Sequence, residues 1–244
     1  MGFMGIVCVK LLKNMIKWDR NDMKIYKRTD DLWAEWGFEG ENSPVISVVG
    51  AGGKTSLIRA LSAGLNDRKI RHIIMTTTHM WPMDFGPYGF QAGPIGTDGK
   101  VGSPEEDEIQ MILQRKVPVL IESDGSKGLP CKAPEAWEPV LLRETTHVCG
   151  VLGASCLGKP VGEICHRPDK VADILECGCD HLLTGEDLAL LASDRRGLRK
   201  NVDISWNYRV ILNQVDDTEI LAQAASVEKI LGEKGIRAYL TSLK

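Results

Sequence analysis

Apolar runs of strand length alternate with amphipathic stretches along most of the chain. The runs cover residues 45–49, 72–78, 117–121, 147–152 and 208–213, and a shorter one follows at 237–240. Stretches with helical spacing lie between them, at 56–65, from 103 onwards, and at 169–176, 185–193 and 219–235. Apolar runs of this length are typical of strands that are buried on both faces. The alternation predicts an α/β fold, a three-layer sandwich with a mostly parallel sheet and helices on both faces.

The pattern differs at the start of the chain. Residues 1–40 are interpreted as an N-terminal extension, partly disordered or following a misassigned start, with a short helix at 30–36; residues 41–244 are interpreted as one α/β domain. The apolar stretch 3–12 contains Lys10 and is far shorter than the roughly 20 residues that a membrane-spanning helix needs. A peripheral helix is the alternative, with an apolar stripe formed by Leu11, Leu12, Met15, Ile16 and Trp18.

Residues 79–104 carry six glycines and four prolines and show no sustained periodicity. A stretch of this length inside a compact domain is usually functional or mobile, and here it would suit a switch. Within it, the turn signal at residues 97–100 predicts a small hairpin. At its end, Ser103 and Pro104 predict a helix that has the serine as its N-cap and the proline in its first turn.

A glycine-rich segment, Gly50-Ala51-Gly52-Gly53-Lys54-Thr55, connects the first apolar run to a helix that continues from Ser56. Glycines allow successive backbone amides to converge on an anion, and the helix N-terminus adds partial positive charge. Lys54 is predicted to reach the β- and γ-phosphates, and the Thr55 hydroxyl to bind Mg²⁺. We therefore expect residues 50–56 to bind a nucleotide and residues 41–244 to form a P-loop NTPase-like domain.

The spacing of this segment is shorter than the usual G-x-x-x-x-G-K-[ST]. The pattern G-x-x-G-K-T is similar to the loop of the Mur ligases and folylpolyglutamate synthases. An ordinary glycine-rich turn with an exposed lysine is the alternative interpretation.

The third apolar run ends in two carboxylates, Glu122 and Asp124. Side chains two residues apart in a strand project to the same side, so both acids would face the phosphate loop. One carboxylate would hold Mg²⁺ and the other would orient a nucleophile or substrate. We therefore predict Lys54, Glu122 and Asp124 as catalytic residues, and Thr55, Glu122 and Asp124 as the magnesium site. Two acids in a surface turn are the alternative.

The fifth apolar run ends in Asn213-Gln214-Val215-Asp216, where guanine-binding proteins carry N-K-x-D. Asp216 would accept hydrogen bonds from the guanine edge, and Asn213 belongs to the same predicted nucleotide site. Because Gln214 replaces the lysine, the nucleotide remains ATP or GTP, with a weak preference for GTP. A plain end of a strand is the alternative.

Five cationic or imidazole side chains are candidates for binding an anionic substrate. Lys127 and Lys132 lie close in sequence to Asp124, whereas His79 follows a threonine run. The alternatives are solvated surface lysines and a structural helix cap. The candidates are His79, Lys127, Lys132, His166 and Arg167.

The seven cysteines are an odd number, and a protein that uses nucleotide is expected to keep them reduced in the cytoplasm. The cluster of Cys165, Cys177 and Cys179, together with His166 and His181, has a spacing unlike zinc knuckles. A soft-metal or chalcogen site is therefore one interpretation, and buried thiols that act as small hydrophobes are the default. Cys131 is a separate candidate for a reactive thiol.

The chain has a net charge of −3, with 43% hydrophobic and 26% charged residues. These values are ordinary for a globular protein and give no overall attraction to nucleic acid or to an anionic membrane. We therefore expect neither as a partner.

A series of short motifs runs through the chain: residues 49–55, 76–78, 122–126 and 129–134, then Glu138, Pro139, residues 158–160, His166 and Arg167. Through these motifs, residues 44–244 resemble the YqeC family, whose members are proposed accessory proteins for selenium-dependent molybdenum hydroxylases. The resemblance implies a Mg²⁺-dependent factor that binds and hydrolyses a nucleoside triphosphate during hydroxylase maturation, with the hydroxylase or its maturation factors as partners. The alternatives are an ATP-dependent small-molecule kinase or Mur-like ligase, and a non-enzymatic, nucleotide-gated scaffold.

Overall fold

The computed structural model describes residues 24–27, 30–38, 40 and 43–243. The predicted extension before residue 24, the alternative peripheral helix and Cys8 lie outside these residues. The predicted short helix is present as α1 (Leu32–Glu35). Its N-cap is Asp31, whose side chain accepts a hydrogen bond from the Ala34 amide at 3.2 Å.

Eight parallel strands form the central sheet. In the described part of the chain the strands are β1 (Ile25–Lys27), β2 (Val45–Gly50), β3 (His72–Thr76), β4 (His79–Met80), β5 (Gly89–Gln91), β6 (Val101–Gly102), β7 (Val119–Glu122), β8 (Cys131–Lys132), β9 (His147–Gly153), β10 (Cys165–His166), β11 (Asn207–Asn213) and β12 (Arg237–Ser242). The sheet order is β1-β12-β11-β9-β2-β7-β3-β5, and every neighbouring pair in it is parallel. Two short ladders lie outside it, β4 with β6 and β8 with β10.

Helices cover both faces of the sheet. The remaining helices are α2 (Lys54–Asp67), α3 (Glu106–Gln114), α4 (Val161–Ile164), α5 (Pro168–Leu175), α6 (Gly185–Ser193) and α7 (Thr218–Glu233), with a 3₁₀ turn at Ala154–Cys156. Alternate strand residues point to opposite faces: Ile46 packs in the same cluster as Leu57 of α2, whereas Val45 packs with Ile112 of α3. On the α3 face, α6 and α7 pack against β11. The predicted α/β three-layer sandwich with a mostly parallel sheet is confirmed.

The direction of the chain reverses next to β2. The connection from β2 through α2 leads towards the β5 edge, whereas those through α3, α6 and α7 lead towards the β1 edge. Because strand–helix–strand crossings are right-handed, opposite directions place their helices on opposite faces, as observed. The connections leaving the neighbours β2 and β9 diverge. Such a point leaves a crevice at the carboxyl ends of the strands, where ligands bind in open parallel sheets.

Residues 79–104 contain more regular structure than their sequence predicts. The Gly96 amide donates to the Lys100 carbonyl at 2.7 Å, which confirms the tight turn at 97–100. However, β5 was not predicted, because its residues show no alternating pattern. The helix start predicted at Ser103 is also wrong. Glu105 is the N-cap of α3, and it forms a reciprocal capping box with Glu108.

Seven α-helices lie in the described part of the chain. Among them, none combines the length and the apolar character required to cross a bilayer.

Candidate functional site

The predicted phosphate loop, residues 50–56, packs tightly against the ends of two neighbouring strands. Gly50, Gly52 and Gly53 have φ values of 97°, 82° and 127°, which favour glycine. A Cβ on Gly52 would lie 2.2 Å from the Gly153 nitrogen, and a Cβ on Gly53 would lie 2.2 Å from Asn213 Nδ2. The glycines are therefore required for the loop to approach β9 and β11, whatever the loop binds.

The loop amides fall into two groups. The first three donate within the protein: Gly50 to both oxygens of Asp124 at 3.1 and 3.0 Å, Ala51 to the Val151 carbonyl at 2.9 Å, and Gly52 to the Leu129 carbonyl at 3.1 Å. The amides of residues 53–56, at the N-terminus of α2, have no hydrogen-bond acceptor within the described part of the chain. Unpaired amides at a helix N-terminus favour an anion.

Lys54 is buried and folds back over its own loop. Its Nζ donates to the Gly50 carbonyl at 2.8 Å and to Ser126 Oγ at 3.2 Å, and it lies 3.3 Å from Asp124 Oδ1. The ammonium group therefore lies against the first residue of the loop, with its charge directed at a carboxylate of the protein.

Thr55 and Glu122 meet next to this lysine. Thr55 Oγ1 donates to Glu122 Oε2 at 2.7 Å, and Glu122 ends β7 directly beside β2. Burial raises the pKa of Glu122, opposed by the charge of Lys54 and the hydrogen bond from Thr55. Hydroxyl and carboxylate oxygens are the ligands that Mg²⁺ prefers, so their chemistry fits this ion. We refer to Lys54, Thr55 and Glu122 as the loop corner.

Asp124 belongs to a second set of charges, joined through Lys132. Lys132 is fully buried, and its Nζ donates to Asp124 Oδ2 at 2.9 Å, to the Gly125 carbonyl at 2.7 Å and to Glu138 Oε2 at 2.8 Å. All three donor positions of the ammonium are thereby used. Lys132 was predicted to bind an anionic substrate, whereas its contacts here are all within the protein.

Arg167 completes this set. Its guanidinium holds Glu138 through two bonds, from NH1 to Oε2 at 2.7 Å and from NH2 to Oε1 at 3.0 Å. Burial alone would raise the pKa of Glu138, but hydrogen bonds from Arg167 and Lys132 lower it to about 2. We refer to Asp124, Lys132, Glu138 and Arg167 as the buried charge network.

The other residues predicted to bind a substrate differ in their position relative to the buried charge network. His166 ends β10 next to the network, and burial together with the charges of Arg167, Lys132 and Lys127 lowers its pKa. Lys127 is exposed. His79 lies on β4, where it pairs with Gly102 rather than with the loop corner.

The side chain of Asn213 clamps the phosphate loop to the end of β12. Its Nδ2 donates to the Gly52 carbonyl at 2.8 Å, and its Oδ1 accepts from Thr241 Oγ1 at 2.9 Å and the Leu243 amide at 2.8 Å. Asn213 is only 1% exposed. Asp216, in contrast, is exposed and accepts a hydrogen bond from Ser242. Of these two residues predicted for the nucleotide site, only Asp216, the predicted base-reading residue, is accessible.

The contacts of Glu138 and Ser126 are not predicted by the sequence. Ser126 Oγ accepts a hydrogen bond from Lys54. Glu138 was noted only within a family motif, although it is the carboxylate that joins Lys132 to Arg167. One signal was available: Lys132 lies between the apolar residues Cys131 and Ala133, and a lysine in such a context requires a buried carboxylate partner.

Four of the six cysteines in the described residues are buried, whereas Cys177 is half-buried and Cys179 is exposed. Cys131, Cys156 and Cys165 are buried and belong to one apolar cluster. Hydrogen bonding with Cys156, together with burial, raises the pKa of Cys131 well above its usual value, which contradicts a reactive thiolate. Within the described residues, no group of three His, Cys, Asp or Glu side chains is arranged to hold a metal ion. The interpretation as small hydrophobes therefore fits Cys131, Cys156 and Cys165, and it does not describe the exposed Cys179.

Comparison with known proteins identifies the family. The family described as "YqeC protein" matches residues 46–92 and 87–169. The chain belongs to the YqeC family. A YqeC relative from Escherichia coli (strain K12), named "Uncharacterized protein YqeC", is 38% identical over 181 residues, which make up 65% of this chain and 71% of the relative. No solved structure matches the chain.

The region that matches the YqeC family contains both charge clusters. It includes the loop corner and all four members of the buried charge network, but it ends before Asn213 and Asp216. The two clusters are therefore features of the part of the chain that defines the family match.

Proposed function

We propose that the protein is a P-loop, Mg²⁺-dependent factor that binds and hydrolyses a nucleoside triphosphate, and that it assists the maturation of a selenium-dependent molybdenum hydroxylase. One observation carries the nucleotide part: the 2.7 Å contact between Thr55 and Glu122, beside Lys54 and the unpaired amides of α2. The maturation part rests on the motifs shared with the YqeC family.

The residues of the loop corner divide the chemistry among them. The amides of residues 53–56 and the Lys54 ammonium bind phosphate oxygens and compensate their charge. Thr55 and Glu122 would hold Mg²⁺, which neutralises charge on the phosphates. Glu122 is the titratable member, because burial raises its pKa and a neighbouring cation would favour its charged form.

The choice between ATP and GTP falls to Asp216. Its carboxylate is exposed and follows β11 at the carboxyl edge of the sheet, the same edge that carries the phosphate loop. An accessible carboxylate can accept two hydrogen bonds from guanine, which favours GTP. Gln214, which replaces the usual lysine, accepts a hydrogen bond from Ser155 at 2.5 Å and is therefore turned towards β9.

The direct test is binding and turnover of Mg·ATP and Mg·GTP by the purified protein, with and without an immature hydroxylase. We expect measurable binding, slow turnover that the hydroxylase accelerates, and loss of both in Lys54→Ala. Lys229→Ala is the matched control, since Lys229 is exposed on α7. A wild-type protein that binds neither nucleotide would contradict the proposal.

A nucleotide-gated scaffold is the second candidate, and a specific observation favours it. The segment 79–104 presents three exposed apolar side chains: Trp81 is 61% exposed, Phe90 54% and Ile95 70%. Exposed apolar side chains that together form a patch are typical of partner-binding surfaces. A scaffold would capture the hydroxylase in the presence of a non-hydrolysable nucleotide analogue while showing negligible turnover.

A further inference from the structure

Asp124 is surrounded by donors that a phosphate would also use. Its carboxylate accepts from the first amide of the phosphate loop, Gly50, and lies 3.3 Å from the ammonium of Lys54. It is 1% exposed, so neither oxygen faces solvent. Asp124 thus presents to Lys54 the same kind of anionic oxygen that a bound phosphate would present.

Lys132 approaches the same carboxylate from the other side. Its Nζ lies 2.9 Å from Asp124 Oδ2, closer than Lys54 lies to Oδ1. Lys132 is itself fixed by Glu138 and the Gly125 carbonyl, and Glu138 is held by Arg167. The position of Asp124 is therefore determined by the network as well as by the loop.

We propose that Asp124 is an internal anion that competes with phosphate for Lys54, and that Lys132 is a positioning residue that weakens this competition by holding Asp124 itself. The inference rests on the proposed function, because it assumes that residues 53–56 bind a phosphate. It assigns Asp124 a role other than the predicted one of magnesium ligand.

The two roles make opposite predictions. When a phosphate binds, Lys54 turns from Asp124 to the ligand, and Lys132 then remains as the cation that compensates Asp124. Without Lys132, the carboxylate would have Lys54 as its nearest cation and would retain it. Without the charge of Asp124, Lys54 would be released. A magnesium ligand, in contrast, would weaken binding of the magnesium complex when it is neutralised.

The test uses equilibrium binding of pyrophosphate without magnesium and of Mg·ATP and Mg·GTP, measured by calorimetry on the full chain. We expect Asp124→Asn to bind pyrophosphate at least about tenfold more tightly than the wild type, and Lys132→Met about tenfold more weakly, since coupling between close buried charges exceeds about 1.4 kcal/mol. In the double variant, loss of Lys132 should change the pyrophosphate affinity little further, because the charge of Asp124 that Lys132 compensates is already absent.

Lys170→Met is the matched control. Lys170 is exposed and forms an ion pair with the half-buried Glu135 at 3.2 Å; it does not contact Asp124, so its removal should leave binding unchanged. If Lys132→Met does not fold, the comparison of Asp124→Asn with the double variant and the wild type still measures the competition.

Two outcomes would overturn the inference. Equal pyrophosphate affinity in Asp124→Asn and the wild type would exclude competition for Lys54. Weaker binding of the magnesium nucleotides by Asp124→Asn, with pyrophosphate binding unchanged, would instead identify Asp124 as a magnesium ligand. Both leave the proposed nucleotide binding intact, whereas binding of no ligand by any variant would contradict the proposed function as well.

Discussion

The loop corner and the buried charge network are adjacent, and each contains one carboxylate from the end of the same strand. In the network, Asp124 and Glu138 are both matched by buried or half-buried cations, and the pKa of Glu138 falls to about 2. In the loop corner, Glu122 has a hydroxyl as its direct partner, and burial raises its pKa. In the network each carboxylate is compensated by a cation, whereas in the loop corner an added cation would stabilise the charged form of Glu122. Two acids with the same sequence context therefore have different electrostatic surroundings.

The largest expected difference between the two regions is in stability. Lys132→Met leaves Asp124 and Glu138 without their shared cation, and breaking a buried pair typically costs about 3 kcal/mol of unfolding free energy. Thr55→Val removes one hydrogen bond at the loop corner and should cost only about 1 kcal/mol. Urea denaturation of both variants measures this difference, with Lys170→Met as control. Equal losses would show that the network is no more important for folding than the corner.

The second-largest expected effect is on the rate of nucleotide hydrolysis. Glu122→Gln keeps an acceptor for Thr55 but removes the charge, so we expect hydrolysis to fall about 100-fold, as for other losses of an electrostatic group at a reacting phosphate. The unfolding free energy at neutral pH should stay constant or increase, because a buried charge is removed. Steady-state turnover and urea denaturation test both expectations. Glu163→Gln, at an exposed position on α4, is the control, and a Glu122→Gln protein with full activity would refute the assignment.

The pH dependence of stability should have opposite signs in the two regions. The pKa of Glu138 is lowered, so its contribution to stability is present above its ordinary value of 4.5 and is lost as the pH falls towards 2. The pKa of Glu122 is raised, so its contribution is present below 4.5 and is lost as the pH rises through the raised value. Urea denaturation of Glu138→Gln and Glu122→Gln across this range measures each slope against the wild type. Parallel slopes would contradict the comparison.

The smallest expected effect is at Asp216, which lies outside both regions. Asp216→Ala should change the unfolding free energy by less than about 0.5 kcal/mol, because the side chain is exposed. Any preference for GTP over ATP should decrease, while binding of pyrophosphate stays constant. Competition binding with the two nucleotides is the measurement, and Asp180→Ala is the control. An unchanged preference would remove Asp216 from the base site.

The sequence predicts the sheet well because its strands are buried on both faces. The predicted boundaries of β2, β9 and β11 differ from the observed ones by one residue. The meeting of Lys54, Thr55 and Glu122 also follows from the sequence, since the carboxyl ends of neighbouring parallel strands share an edge. The family prediction is confirmed.

Other features depend on tertiary contacts that no local pattern encodes. The pairing of Lys132 with Glu138 requires the chain after β8 to return to the end of β7, and the clamp by Asn213 depends on where β12 ends. At the start of α3, two candidate caps compete, and Glu105 is selected over Ser103 because Glu108 completes a capping box.

The close packing of the phosphate loop has a consequence for how sequences of this family should be compared. Because Gly50, Gly52 and Gly53 are required for contact with neighbouring strands, a relative without nucleotide chemistry would still be selected to retain them. Their retention in an alignment would report on folding alone. Joint retention of Lys54, Thr55 and Glu122 is the signal that reports on function. A homologue with the glycines but without this triplet would be a folded protein that lacks the loop corner.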